Sequence, residues 1–200
     1  MPQAHHPAAP PATPLTTARL LLRPLVLEDA AAIQRHFPHW EIVRFVNGRV
    51  PWPYPADGAL TYLRDIALPA MARGEEWHWS IRLKDRPDDL IGAIALMAQE
   101  GNNRGFWLGL PWQGQGLMSE AVEAVTDFWF EELGREVLRV PKAAANRASR
   151  RVSERTGMRV IRTEMHAYVS GEHLSEVWEI TREEWRARKS PRPAPQGEGG

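Results

Sequence analysis

The sequence predicts one α/β (α+β) domain, a mixed sheet with helices packed on it rather than a purely doubly wound fold. Three observations carry this. Strand-like and helix-like periods alternate in the order β-α-α-β-β-β-α-β-α-β-β, which mixes hairpins with crossovers. The 200 residues, 43% hydrophobic and 25% charged, suffice for one ordinary core and not for two. Proline-rich ends frame a single block: residues 1–14 hold five prolines and no Lys, Arg, Asp or Glu, and residues 189–200 hold three prolines and three glycines. Neither end can bury enough apolar surface to offset the entropy of ordering it, so both read as disordered tails around a domain at 15–188.

The elements follow in order. Residues 19–24 (RLLLRP) form an apolar run closed by proline, the first strand. Residues 27–37 open with Glu28 and Asp29, suited to the positive end of a helix, and continue with Ala30, Ile33 and Phe37. Residues 55–73 carry Leu60, Leu63, Ile66 and Ala67 on one stripe, a second helix that Pro69 ends or bends. Residues 76–83 and 90–98 read as strands joined by a polar turn at 84–89, and 104–110 follows across Gly101-Asn102-Asn103. Met118, Ala121, Val122, Val125, Phe128, Trp129 and Leu133 recur at helical spacing, with Gly134 as the stop. Residues 137–140 form a strand, and 146–156 a short helix with Asn146 as N-cap and Gly157 past its end. Strands at 159–169 and 176–180 precede a terminal helix, for which Thr181 and Glu184 have capping-box spacing.

Composition excludes several functions. Twenty-five basic and twenty-five acidic residues cancel, so no whole-chain field draws in nucleic acid or an anionic membrane. The absence of cysteine removes disulfides, thiolate metal sites and a cysteine nucleophile. No apolar run approaches the roughly 18 residues of a membrane span. The first residues lack the pattern of a signal peptide, so a cytoplasmic location is expected. His36 and His39 lack a third ligand, and no metal is expected.

The most informative stretch is 107–121, WLGLPWQGQGLMSEA. A strand ends, Gln113-Gly114-Gln115-Gly116 turns tightly, and the strongest helix starts at once. Glycines there let a ligand reach unshielded N–H groups, and the first N–H groups of a helix form an anion site suited to a pyrophosphate. Structural turns before helices also use glycine. The loop is neither G-x-x-x-x-G-K-[ST] nor G-x-G-x-x-G, so triphosphatase and Rossmann readings have no support.

This stretch resembles the acyl-CoA-binding signature of GNAT-superfamily N-acetyltransferases, Gln/Arg-x-x-Gly-x-Gly/Ala. Gln113, Gly114 and Gly116 match, while Met118 stands where Ala or Gly is usual. Asn146-Arg147-Ala148-Ser149 followed by Glu154-Arg155-Thr156-Gly157-Met158 resembles the N-x-x-S…E-K-x-G-F segment of the RimJ/RimL-like branch, the ribosomal-protein-alanine N-acetyltransferase-like enzymes. Residues 19–30, Pro51-Trp52-Pro53-Tyr54, and Trp178-Glu179-Ile180 leading to Trp185 extend the likeness over nearly all of 15–187. The resemblance implies the GNAT fold: a mixed, mostly antiparallel sheet with helices on both faces and a splayed parallel strand pair ending at Leu110 and Val140.

It also implies a site. Acetyl-CoA is the co-substrate, with no metal, and an amine, either a peptide N-terminus or a small molecule, attacks it directly in a ternary complex. The strand around Trp107, Leu108 and Leu110 offers backbone groups to the pantetheine arm. The backbone of Gln113, Gly114, Gln115, Gly116, Leu117 and Met118 cradles the pyrophosphate, and Asn146 hydrogen-bonds the pantetheine. Ser149 lies near the sulfur and protonates or hydrogen-bonds the leaving thiolate; the tyrosine that many members use is replaced by Ser153. A backbone N–H beside Leu108 is the simplest oxyanion donor.

The base that takes the amine proton is Glu100 or an ordered water. Asn146 and Ser149 also read as helix-capping residues, and both uses are compatible. Trp40, Trp52, Trp77 and Trp79 fall in segments that wall the acceptor cleft, where Glu41, Asp57 and Asp65 would attract an amine; plain packing and surface charge are the competing readings. His78 reads as a core or rim histidine. Arg147, Arg150 and Arg151 add charge near the nucleotide phosphates. A small-molecule or antibiotic acyltransferase and a non-catalytic acyl-CoA-binding protein remain alternatives, as do monomer and homodimer.

Overall fold

A computed structural model describes residues 9–189. The strands β1 (Leu15–Thr16), β2 (Leu20–Pro24), β3 (Glu76–Leu83), β4 (Arg86–Met97) and β5 (Arg104–Leu108) form a five-stranded antiparallel sheet in that order. A second, three-stranded antiparallel sheet has the order β6 (Val137–Ala143), β8 (Gly171–Thr181), β7 (Arg159–Tyr168). On one face lie α1 (Ala30–His36), α2 (Trp40–Val43), α3 (Gly58–Tyr62) and α4 (Leu68–Ala72), burying Ile33, Phe37, Val43, Ala59, Leu63 and Ala67 with Leu25 and Leu90. On the other lies α5 (Leu117–Asp127), whose Leu117, Met118, Ala121, Val122 and Val125 meet Trp77, Trp79, Ile81 and Ile94. Each such aliphatic side chain contributes about 1.5–3 kcal/mol when withdrawn from water. The fold class is therefore the one the sequence predicts, with the ladders divided between two sheets.

Three local differences from the sequence reading have physical causes. Pro69 does not end its helix. The turn Leu63–Ala67 between α3 and α4 is wound as a π-helix, with the Leu68 N–H bonded to Leu63 O, and Pro69 sits in the first turn of α4, where its missing N–H costs little. The helix of 117–133 likewise passes from α5 into a π turn, Phe128–Glu132, before Gly134 stops it at φ 63°. The ordered chain also begins before Leu15. The indole N–H groups of the buried Trp77 and Trp79 need acceptors, and Pro10 O and Thr13 O supply them at 2.7 Å each. The remainder of the expected tails, 1–8 and 190–200, lies outside the described residues.

The element that positions the site is the junction between β5 and β6. The Asn103 N–H donates to Arg139 O at 2.7 Å and the Arg139 N–H donates to Asn103 Oδ1 at 2.8 Å, while Asn103 Nδ2 donates to Met97 O and Gln99 O. Three residues along each strand, Lys142 Nζ sits 4.8 Å from the centre of the Phe106 ring. The common offset of 36 between 103 and 139 and between 106 and 142 means that the strands run parallel. No ladder joins them beyond Asn103 among the described residues. The splay expected between strands ending at Leu110 and Val140 thus lies between strands ending at Leu108 and Ala143.

Asn103 is 8% exposed and makes all of its side-chain bonds at this closure. Losing a buried partner of this kind costs about 1–3 kcal/mol, or roughly 2–4 °C of melting temperature per kcal/mol in a domain of this size. Asn103→Ala is therefore expected to melt several degrees lower in a thermal scan; an unchanged melting point contradicts the role of this closure.

Candidate active site

The loop between β5 and α5 is built for an anion. Gly114 and Gly116 hold φ of +76° and +78°, a region that L side chains rarely adopt. A Cβ built on Gly114 meets nothing within 4 Å, and one on Gly116 meets only an Arg19 guanidinium nitrogen at 3.6 Å, so both project into open space. The Leu117 and Met118 side chains are buried in the core, leaving backbone at the surface. Glu120 N–H closes the first helical bond onto Gly116 O, so the amides of Leu117, Met118 and Ser119 have no intrahelical partner. Two side chains brace the loop: Gln113 Nε2 donates to Leu108 O at 2.8 Å, and Gln115 Nε2 donates to Pro111 O at 3.0 Å.

Arg19, which the sequence reading placed only in a strand, clamps this loop. Its Nη1 donates to Gln115 O at 3.0 Å, and its Nε and backbone N–H each donate to Glu120 at 2.7 Å. Burial pushes the Glu120 carboxyl up, yet hydrogen bonds from Thr17 and Arg19 outweigh it and hold the group below the usual carboxylate range. A cation is thereby fixed beside the free amides. Nothing in the spacing of residues 19 and 120 signals this contact.

The end of β5 presents the second feature. Gly109 N–H donates to Ile91 O at 2.8 Å, so strand alternation turns the Leu108 N–H away from β4, toward the side where β6 has diverged. Leu108 O is held by Gln113, while the Trp107 ring lies on the opposite face, 5.3 Å from Phe37. Leu110 starts the short turn Leu110–Trp112 beyond the strand and is 38% exposed.

The third feature is the helix α6 (Arg147–Arg155) that follows β6. Asn146 caps it, its Oδ1 accepting from Ser149 N–H at 3.2 Å. Ser149 is half-buried and its Oγ accepts a hydrogen bond from Lys142 Nζ at 2.7 Å. Lys142, absent from the sequence reading, is 5% exposed. Burial, with the Arg104 guanidinium adding repulsion, pushes its ammonium well below the ordinary lysine range. Arg104 itself is 2% exposed, donates to Thr126 Oγ1 and contacts Met158 Sδ, and desolvation lowers it to about 9. Ser153 is fully buried and its Oγ has no partner among the described residues.

Other candidates lie elsewhere. Glu100 does not reach the splay. It is exposed in the hairpin between β4 and β5 and lines a shallow cavity with Asn103, Trp129, Arg135 and Arg139, at the closed end of the strand pair. Five strand steps of about 3.4 Å separate the Asn103 closure from Leu108. Trp77 and Trp79 are core residues rather than cleft walls, whereas Trp40 and Trp52 are about two-fifths exposed, with ring centroids 5.6 Å apart. Their segment is stitched to the β7–β8 hairpin by Gly48 N to Ala167 O, Val169 N to Val46 O and Ser170 N to Arg44 O. Glu41 and Asp57 are exposed, and Asp65 is paired with Arg64. His78 is buried against Glu76 at 2.6 Å. Arg150 is occupied by Glu176 at 2.8 Å. Among the described residues no group of three or more His, Asp or Glu is placed to hold a metal, and no helix is long and apolar enough to cross a membrane.

The features described are a splayed strand pair, a glycine turn with free helix amides and a capped second helix. Residues 19–159 match the acetyltransferase (GNAT) domain family, and the chain belongs to it. Solved structures agree in fold. RimJ of Mycobacterium smegmatis in complex with CoA-disulfide superposes with a TM-score of 0.73 at 19% identity, over 87% of this chain and 90% of that one. The ribosomal-protein-S5-alanine acetyltransferase of Vibrio fischeri gives 0.72 at 14% identity, over 86% and 98%. RimL, a ribosomal L7/L12 α-N-protein acetyltransferase in complex with coenzyme A, gives 0.70 at 17% identity, over 84% and 96%. The chain matches no curated protein in sequence.

The open space at Gly114 and Gly116 and the free amides fit a pyrophosphate. A ligand at a hundredfold excess over its dissociation constant stabilises by about 2.7 kcal/mol. CoA is expected to raise the melting point of the unaltered protein, and Gly116→Val, already strained at its φ, is expected to lose most of that increment. An equal CoA-induced shift in both proteins contradicts the loop assignment.

Proposed function

We propose that the protein transfers an acetyl group from acetyl-CoA to a primary amine, by direct attack in a ternary complex, in the manner of the RimJ/RimL-like branch. The observation that carries the reading is the pairing of the free amides at the start of α5 with the Leu108 N–H at the open end of β5. The loop backbone and Arg19 would hold the pyrophosphate, and β5 and Asn146 the pantetheine. Acetyl-CoA supplies an activated acyl group and a thiolate leaving group. The Leu108 N–H would then stabilise the negative charge that develops on the acyl oxygen.

Ser149, held by the Lys142 ammonium that lies over Phe106 of β5, would protonate or hydrogen-bond the departing sulfur. A serine is a weak acid in water, so its value lies in proximity and in the partner that holds it. With Glu100 at the closed end, an ordered water is the better candidate for taking the proton of the attacking amine. Trp40 and Trp52, on the segment stitched to the β7–β8 hairpin, would flank a peptide N-terminus; the solved neighbours RimL and the S5-alanine acetyltransferase are named for acting on ribosomal proteins.

Free-thiol release from acetyl-CoA in the presence of N-terminal peptides and small amines tests the activity, and its absence with every acceptor favours a non-catalytic acyl-CoA-binding protein. Ser149→Ala is expected to lower turnover by about 10²–10⁴-fold with CoA affinity nearly intact, the signature of an interaction made in the transition state. Normal turnover with a lowered melting point would return Ser149 to a structural role.

A further inference from the structure

We infer that Lys142 is a positioning residue that holds the Ser149 hydroxyl and supplies its proton during thiolate departure. This deepens the reading above and rests on it. A serine oxygen that accepts from Lys142 Nζ at 2.7 Å keeps its own hydrogen free to point elsewhere, and the same Nζ reaches across to Phe106 of β5. The donor is fixed. Lys142 lies between β6 and Phe106, with Nζ 4.8 Å from the ring centre, and is 5% exposed.

Stability does not account for a lysine here. A buried ammonium is costly unless it is paired, and no carboxylate pairs with Lys142 among the described residues. From β5 it faces Arg104, a second cation. From α6 and β8, Arg150 and Glu176 neutralise each other at 2.8 Å. From β7, the Tyr168 hydroxyl is spent on Ser175, whose Oγ donates to the Lys142 carbonyl. Burial and Arg104 move the ammonium down from the usual lysine value, in the direction of a free thiol at about 8.5. Proton transfer toward a thiolate is easier from such a group than from an ordinary lysine.

The step balances. When the carbon–sulfur bond breaks, its electron pair stays on sulfur. Sulfur takes the proton of Ser149 Oγ, and Oγ takes one from Lys142 Nζ, leaving a thiol, an intact serine and a neutral lysine. The proton that the attacking amine loses, passed through water, recharges Lys142. The net exchange is an acyl group for a proton on nitrogen and a proton for the acyl group on sulfur.

The test uses the whole chain with acetyl-CoA and the amine panel, in the unaltered protein, Lys142→Met, Lys142→Arg, Ser149→Ala and the Lys142→Met/Ser149→Ala double variant. Methionine matches the length of lysine without its charge, so Lys142→Met is expected to melt no lower than the unaltered protein. It is expected to lose at least tenfold in kcat, with KM for acetyl-CoA within twofold, and to lose the alkaline limb of the kcat–pH profile. Arginine keeps the charge but does not release a proton at these pH values, so Lys142→Arg should not rescue. The double variant should be no slower than Ser149→Ala, because the two act in one path.

A readout independent of turnover comes from the lysines, of which the sequence has three, Lys84, Lys142 and Lys189. Their side-chain NMR signals should show Lys142 titrating below the other two. Because its folded value is depressed, the folded chain binds fewer protons than the unfolded chain between that value and about 10.4; stability should rise with pH across this window, and Lys142→Met should flatten the rise. Normal kcat and an intact alkaline limb in Lys142→Met, multiplicative losses in the double variant, or a Lys142 that titrates with its fellows each overturn the inference. A slow Ser149→Ala beside a normal Lys142→Met overturns the lysine role alone. A normal Ser149→Ala overturns the serine and lysine roles and leaves acetyl transfer standing, whereas no thiol release with any amine overturns both readings.

Discussion

The structure depends on a single asymmetric junction. Asn103 ties β5 to β6 by two backbone-directed hydrogen bonds at one end, and among the described residues no ladder joins them at the other. Two parallel strands that start together and then diverge leave unpaired backbone along their inner edges. The Leu108 N–H is such a group, and Gln113 fixes it by holding the carbonyl of the same residue. Past the closure, Lys142 on β6 lies over Phe106 of β5 and donates to Ser149. The same strand end feeds the glycine turn and α5, so the open edge and the free helix amides arise from one stretch of chain.

Two buried cations lie beside this gap. Arg104 and Lys142 are 2% and 5% exposed, on neighbouring strands, and among the described residues neither is paired with a carboxylate. An apolar pair of similar volume would be cheaper to bury, which sets these residues apart from the surrounding core of Leu108, Val122 and Val140. Arg104 has a structural use, linking Thr126 on α5 to Met158 ahead of β7. It also depresses its neighbour, Lys142. On the proposed reading, a structural cation thereby tunes the group that would supply the proton.

Most of the fold was legible from periodicity. The helix beginning at Leu117, the Asn146 cap with its bond to Ser149, and the Thr181–Glu184 capping box all form where spacing and cap chemistry place them. The glycine turn before α5 was legible for the same reason, since it lies in one continuous stretch. What could not be read depends on contacts across the chain. Arg19 reaches Glu120 and Gln115 from 101 and 96 residues away along the chain. Lys142 falls seven residues before Ser149, and only the turn after β6 folds one onto the other. Glu100 shows the same limit: its place after a central strand offers it as a base beside an ordered water, and only the direction of β5 puts it at the closed end of the strand pair. The N-terminal boundary was misread because proline-rich composition gives no hint that Trp77 and Trp79 need carbonyl acceptors.

The central claim is that the open edge of β5 and the first amides of α5 form one acyl-CoA site, and amide hydrogen exchange with and without CoA tests it most directly. The account expects CoA to slow exchange at Leu108 and at residues 114–119 together, with little change in the turn around Glu100. Protection confined to other segments, or none at these amides under saturating CoA, would contradict it.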